Sequence, residues 1–176
     1  KNTKLMDPTS PVQVMFVPSY LNGVDGIFDK DYYELLCGMD VTVFPSYYEP
    51  WGYTPLESVA FSVPTITTSL AGFGLWVAEH CKEHKGVEVI DRNDANDSEV
   101  VTEIASSIEK FCNMSAKEYA SYQESALKTS EIALWENLYA YYAHAYDVAL
   151  ARMTERSSGF KYEGGGDQNE QINFVR

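Results

Sequence analysis

The chain reads as α/β, on three observations. Short β-branched runs alternate with segments of helical spacing along the first half. One such run, Val41-Thr42-Val43-Phe44, passes through an aromatic and glycine loop straight into a helix start. Beyond Asp97 the pattern is helical with apolar stripes and no further strand run.

Taken in order, Val12 to Val17 alternates and is β-branched, which predicts a first strand ending at Pro18. Asn22 to Gly26 is a turn cluster. Tyr32, Leu35, Leu36 and Met39 recur at helical spacing and predict a short helix from about Asp29. The run at Val41 has the composition of a buried parallel strand. Thr54 is a candidate helix cap, with Pro55 in the first turn and Glu57 three residues on, so a helix should run to about Phe61. Pro64 to Thr68 and Val87 to Ile90 predict two more strands, with a helix between them from Gly72 to about Cys81. Ile104, Ile108 and Phe111 form one helical stripe; Ile132, Trp135, Leu138, Tyr139 and Tyr142 form another. Both are expected to be core. Gly164-Gly165-Gly166 would interrupt any helix, so residues 1–160 are expected to form one domain with its terminal helices, and 161–176 a polar, flexible tail.

With a net charge of −13 and no Lys/Arg run, the chain is ill suited to nucleic acid or an anionic membrane. No apolar run approaches the twenty residues of a membrane span. Three widely spaced cysteines, Cys37, Cys81 and Cys112, suit a reducing, cytoplasmic setting, with Cys37 and Cys112 read as small core residues. His80 and His84 are four apart but lie among Lys82, Glu83 and Lys85 with no evident third ligand, and His144 sits among tyrosines. No metal or other cofactor is expected. The start at Lys1 lacks an initiating methionine and a signal-peptide core, so the chain is expected to be a piece of a longer polypeptide.

The richest chemistry lies between Phe44 and Glu57, where Glu49 and Glu57 flank an aromatic and glycine loop. In open α/β sheets, ligands bind at the carboxyl ends of the strands, where this loop falls. A glutamate can accept two hydrogen bonds from vicinal hydroxyls. Backbone amides at a helix N-terminus suit phosphate, and a glycine there allows close approach. Aromatic faces suit a base or a sugar ring. Read one at a time, these residues have plainer alternatives: Glu57 as a capping residue, Glu49 as a solvated charge, Tyr47 and Tyr48 as cover for the sheet edge.

The block FPSYYEPWGYTPLE, followed by PTITTSLAGFG, closely resembles the carboxyl-terminal half of the glycogen synthases of animal and fungal type. The likeness extends more loosely from about Val12 to about Ala149, through VQVMFVPSYLNG, the Asp31-Tyr32 pair, GVEVIDR and SEIALWENLY. It implies the Rossmann-like carboxyl-terminal half of a GT-B glycosyltransferase, with a parallel sheet and long C-terminal helices. The implied activity is a retaining transfer of glucose from UDP-glucose, favoured over ADP-glucose, to an α-1,4-glucan. By resemblance, Glu49 sits beside the transferred glucose and Glu57 holds the ribose hydroxyls. Gly52, Tyr53 and Thr54 face the diphosphate, Trp51 lines the sugar pocket, Tyr32 stacks on the uracil, and Tyr20 is a second aromatic near the base.

The chain departs from the family in three ways. The amino-terminal domain is absent, and so are the opening strand and helix of the carboxyl-terminal domain, with their diphosphate-binding cations. The stretch Lys117 to Lys128, where the family carries an arginine-rich helix for glucose 6-phosphate, holds no arginine. The chain alone is therefore expected to be inert, with the missing domain, the donor and a glucan as partners, a homo-oligomer being open. Two alternatives remain: a retaining transferase with another acceptor, and a non-catalytic module that binds a sugar nucleotide.

Overall fold

The computed structural model describes Thr9 and residues 11–159; the tail read from residue 161 lies outside them. The elements run α1 (Tyr32–Leu36), β1 (Thr42–Val43), α2 (Tyr53–Ala60), β2 (Thr65–Thr68), α3 (Gly72–His80), β3 (Val87–Ile90), α4 (Asp97–Cys112), α5 (Ala116–Ile132) and α6 (Trp135–Gly159). By contacts the chain divides into two compact units, Lys1–Ala133 and Leu134–Arg176.

In the first unit the three strands are parallel, in the order β1-β2-β3. Thr42 pairs with Thr65, and Thr65 with Val87. Every residue of the central strand β2 is buried, because helices cover both faces. On one face Val59, Phe73, Val77, Cys81, Val87 and Ala126 form a core fed by α2, α3 and α5. On the other, Ile66, Ile90 and Val100 pack with Val41, Val43, Ile104 and Phe111, so two residues of the α4 stripe meet the sheet while the third, Ile108, is exposed. Parallel strands with helices between them put the β1–α2, β2–α3 and β3–α4 loops at one edge, which is where the site assembles.

Glycine sets how closely α5 approaches. A Cβ on Gly86 would overlap the backbone nitrogen and the methyl of Ala126, which is fully buried. Gly86→Ala is expected to cost about 1–3 kcal/mol by overpacking. A lowered thermal midpoint would show it.

Four expectations change. Val12 to Val17 is not a strand: only Met15 makes a bridge, and Val12 and Phe16 are 69 % and 66 % exposed. A strand needs a face to bury, and pattern alone does not supply one. The first helix begins at Tyr32 and not near Asp29, which adopts a left-handed φ of 51°. Asp31 caps it, accepting from the Glu34 amide while the Glu34 side chain accepts from the Asp31 amide.

Cys37 and Cys112 are exposed at helix ends, and only Cys81 is buried. His80 closes α3 while His84 lies beyond it, so the two do not share a helix face. Their Nδ1 atoms engage the backbone oxygens of Trp76 and Val87. Finally, the stripe from Ile132 to Tyr142 is largely exposed, with Trp135 at 62 % and Tyr139 at 54 %. In the second unit, Trp135 packs on Tyr142 along α6 itself, ring centres 5.0 Å apart, since one helix cannot bury its own face. His144, on α6, is likewise exposed.

Candidate functional site

Phe44 extends the β1 ladder by donating from its amide to Ile66 O at 2.8 Å, and the chain then leaves the sheet. The loop that follows is tied to the turn after β2. Thr68 Oγ1 donates to Ser46 O at 2.7 Å. The Glu49 amide donates to Leu70 O at 3.1 Å, and Glu49 O accepts from the Gly72 amide at 3.0 Å. The Phe73 amide closes the set on Trp51 O at 2.6 Å. Glu49 thus pairs with Ala71 as a parallel bridge, and both of its peptide groups are fixed. The two amides opening α3 are spent on the loop and are not offered to a ligand.

Gly52 then turns the chain into α2 with φ at 101°, a left-handed conformation that few other residues adopt. It is the N-cap, which corrects the assignment of Thr54 to that place. Thr54 is the second residue of the helix, so Glu57 lies beyond the capping-box position. No side chain caps α2. Its first amides, from Tyr53 and Thr54, belong to exposed residues, and Pro55 has none to give. A Cβ on Gly52 would come within 3.4 Å of Glu49 Cγ. Glu49 therefore folds beside the uncapped, electropositive end of α2.

Glu57 has a partner that the sequence reading missed. Tyr33 donates its hydroxyl to Glu57 Oε1 at 3.0 Å, with its ring stacked on Phe61 at 5.4 Å. The bond to Glu57 raises the Tyr33 pKa above the ordinary phenol value. Tyr32 meets Tyr33 edge to face at 5.4 Å. Burial, aided by the charge of Glu57, raises the Tyr32 pKa as well. The Tyr32 hydroxyl is buried without a hydrogen-bond partner, beside an apolar cleft of about 220 Å³ that Leu21, Leu36 and Phe44 also line. Adjacent tyrosines after a cap point about 100° apart on a helix, and sequence alone could not say which would reach Glu57.

The remaining aromatics are more scattered. Trp51 packs its ring on Phe73 and Trp76, at 5.9 and 5.8 Å, as part of the core beside α3. Tyr53 is 71 % and Tyr20 94 % exposed, so the described residues do not hold Tyr20 against Tyr32. The structure brings together Glu49, Gly52 and the start of α2 as one group, and Tyr32, Tyr33 and Glu57 as another. Among the described residues no cluster of His, Cys, Asp and Glu could hold a metal ion, and no helix is long and apolar enough to cross a membrane.

The parallel sheet, the strand–loop–helix crossing between the two glutamates, and the long terminal helices define the Rossmann-like half of a GT-B protein. The profile of the glycogen synthase family matches residues 2–173. The chain belongs to that family. It is 37 % identical over 148 residues to glycogen (starch) synthase of Caenorhabditis elegans, covering 83 % of this chain and 22 % of the relative. It is 32 % identical over 146 residues to the human liver enzyme, covering 82 % and 21 %. With isoform 1 of Saccharomyces cerevisiae it shares 33 % over 151 residues, covering 83 % and 21 %. The chain thus spans about a fifth of the length of these relatives.

Proposed function

We propose that the protein containing this chain transfers glucose from UDP-glucose to the non-reducing end of an α-1,4-glucan with retention of configuration, and that this chain is its donor-binding part. The observation that carries the reading is Glu49 folded against Gly52 at the uncapped start of α2. That arrangement brings a carboxylate, for the positive charge developing on the sugar, next to backbone amides suited to the leaving diphosphate. Glu49 acts as an electrostatic stabiliser and not as a covalent nucleophile; the departing phosphate assists the incoming hydroxyl. Glu57, oriented by Tyr33, accepts from the ribose hydroxyls, and Tyr32 stacks on the uracil. Trp51 would line the sugar pocket through its backbone more than its ring, and Tyr20 would join the base only after moving. No metal or other cofactor is invoked.

The diphosphate also needs cations, and a chain of net charge −13 repels a dianion unless they come from elsewhere in the polypeptide. This chain is accordingly inert alone, and the amino-terminal domain is its partner. The setting is cytoplasmic. In α5, the position of the family's phosphate-binding helix, Lys128 is already paired with Glu124 at 2.7 Å. Glucose 6-phosphate should therefore leave the rate of the complete polypeptide within about twofold, since two-pronged guanidinium donors are missing. A severalfold activation would contradict this.

The donor assignment is tested by titrating UDP and ADP into the complete polypeptide in a calorimeter. UDP is expected to bind more tightly. Tyr33→Phe should weaken it by about 1 kcal/mol, the worth of one hydrogen bond, and Glu57→Gln by more. Equal affinity for UDP and ADP, unchanged in both variants, would sink the assignment.

A further inference from the structure

Arg92 takes no part in the chemistry described so far, yet among the described residues it is the one cation buried against the loop of Glu49. Its side chain is 6 % exposed. Nη1 donates to Pro45 O at 2.8 Å, and Nη2 donates to Asp97 Oδ1 at 2.8 Å. The guanidinium lies over the ring of Tyr47, 3.4 Å from its centre, and the Tyr47 hydroxyl donates to Asp97 Oδ1 at 3.1 Å. Two residues of the loop leading to Glu49 are thus held by a single side chain.

The backbone of Arg92 grips the other strap. Its amide donates to Ser69 Oγ at 2.9 Å, while the Ser69 amide donates to Ile90 O at 2.9 Å. Ser69 begins the turn whose next residues, Leu70 to Gly72, fix both peptide groups of Glu49. Arg92 is therefore where the two segments that set the position of Glu49 meet. A buried guanidinium is a poor source of stability, because its desolvation offsets most of its attractions. Here Nε is even buried without a partner. Such a group is better explained by the one conformation it selects than by the energy it adds.

We propose that Arg92 is a positioning residue for Glu49, holding the Pro45–Tyr48 loop against the turn at Ser69 so that the carboxylate stays beside Gly52. The proposal rests on the transferase reading given above. It needs the fork of a guanidinium, since one nitrogen cannot reach Pro45 O and Asp97 while a planar group covers Tyr47. Asp97 is close in sequence, but Pro45 lies 47 positions from Arg92, so no local motif announces the cluster.

The test uses the complete polypeptide with Arg92→Lys, which keeps the charge, and Tyr47→Leu, which removes a 62 % exposed ring and spares the core. Displacement of the loop by about an ångström should lower kcat roughly 10- to 100-fold, with KM for the nucleotide-sugar donor within about threefold. Hydrogen exchange should quicken at least about tenfold in peptides spanning Pro45 to Glu49, and less elsewhere, with Tyr47→Leu giving a smaller effect of the same kind. Unchanged kcat in folded Arg92→Lys, or unchanged exchange across that loop, would overturn the proposal. So would losses of kcat and KM that simply track thermal stability. A wild-type polypeptide without glucosyl transfer would overturn the transferase reading instead; exchange in Arg92→Lys would still decide whether Arg92 holds the loop.

Discussion

Gly72→Ala is expected to destabilise the fold by about 3 kcal/mol, a fall of roughly 10 °C in the thermal midpoint, and to abolish transfer by the complete polypeptide. The reason is local and geometric. A Cβ at Gly72 would overlap the Pro50 carbonyl oxygen and stand 3.2 Å from Trp51 Cα. These are backbone atoms, so no rotamer change relieves the clash. Either the loop carrying Glu49 lifts away or α3 withdraws from the core, and the bonds from Gly72 and Phe73 to that loop break in both cases. Gly38→Ala is the control, because its Cβ would meet only Leu35 O, at an ordinary 3.4 Å. It should change stability by less than about 0.5 kcal/mol. Equal midpoints for Gly72→Ala and Gly38→Ala would show that the loop is not clamped as described.

Glu49→Gln should act in the opposite sense, sparing the fold and removing the rate. The side chain is exposed, and its role in the structure is carried by its backbone, so folding should be nearly unaffected. Losing a preorganised charge beside the reacting sugar lowers kcat by about 10²–10³-fold in comparable cases, with a much smaller effect on donor affinity. Initial rates of glucose transfer by the complete polypeptide, at saturating donor, measure this. A mutant within tenfold of wild type would remove Glu49 from the chemistry.

What the sequence disclosed follows the range of the interactions involved. The strand before the loop and the helical character of the second half are encoded locally, by composition and spacing, and were legible; the two-glutamate block stood out through its likeness to a family. Gly52 was readable as a close-approach glycine. It was not readable as the cap, because Thr54 and Pro55 carry the stronger local signal while the cap depends on a left-handed φ. Val12 to Val17 carried a strand's pattern, yet its side chains are largely exposed, and pattern alone does not supply a face to bury. The aromatic stripe at Trp135 satisfied helical spacing, but spacing cannot say whether a second surface exists to bury it. Tyr33, Gly72 and Arg92 were missed for one common reason: each acts through partners about twenty to fifty residues away, where only the folded chain reveals them.

The central claim is most directly tested by supplying the complete polypeptide with labelled UDP-glucose and glycogen, and ADP-glucose in parallel. The expected result is label on glycogen, from UDP-glucose in preference, released by an α-1,4-specific hydrolase and lost in Glu49→Gln. Folded protein that leaves glycogen unlabelled with both donors would contradict it, and would turn attention to another acceptor or to a module that only binds.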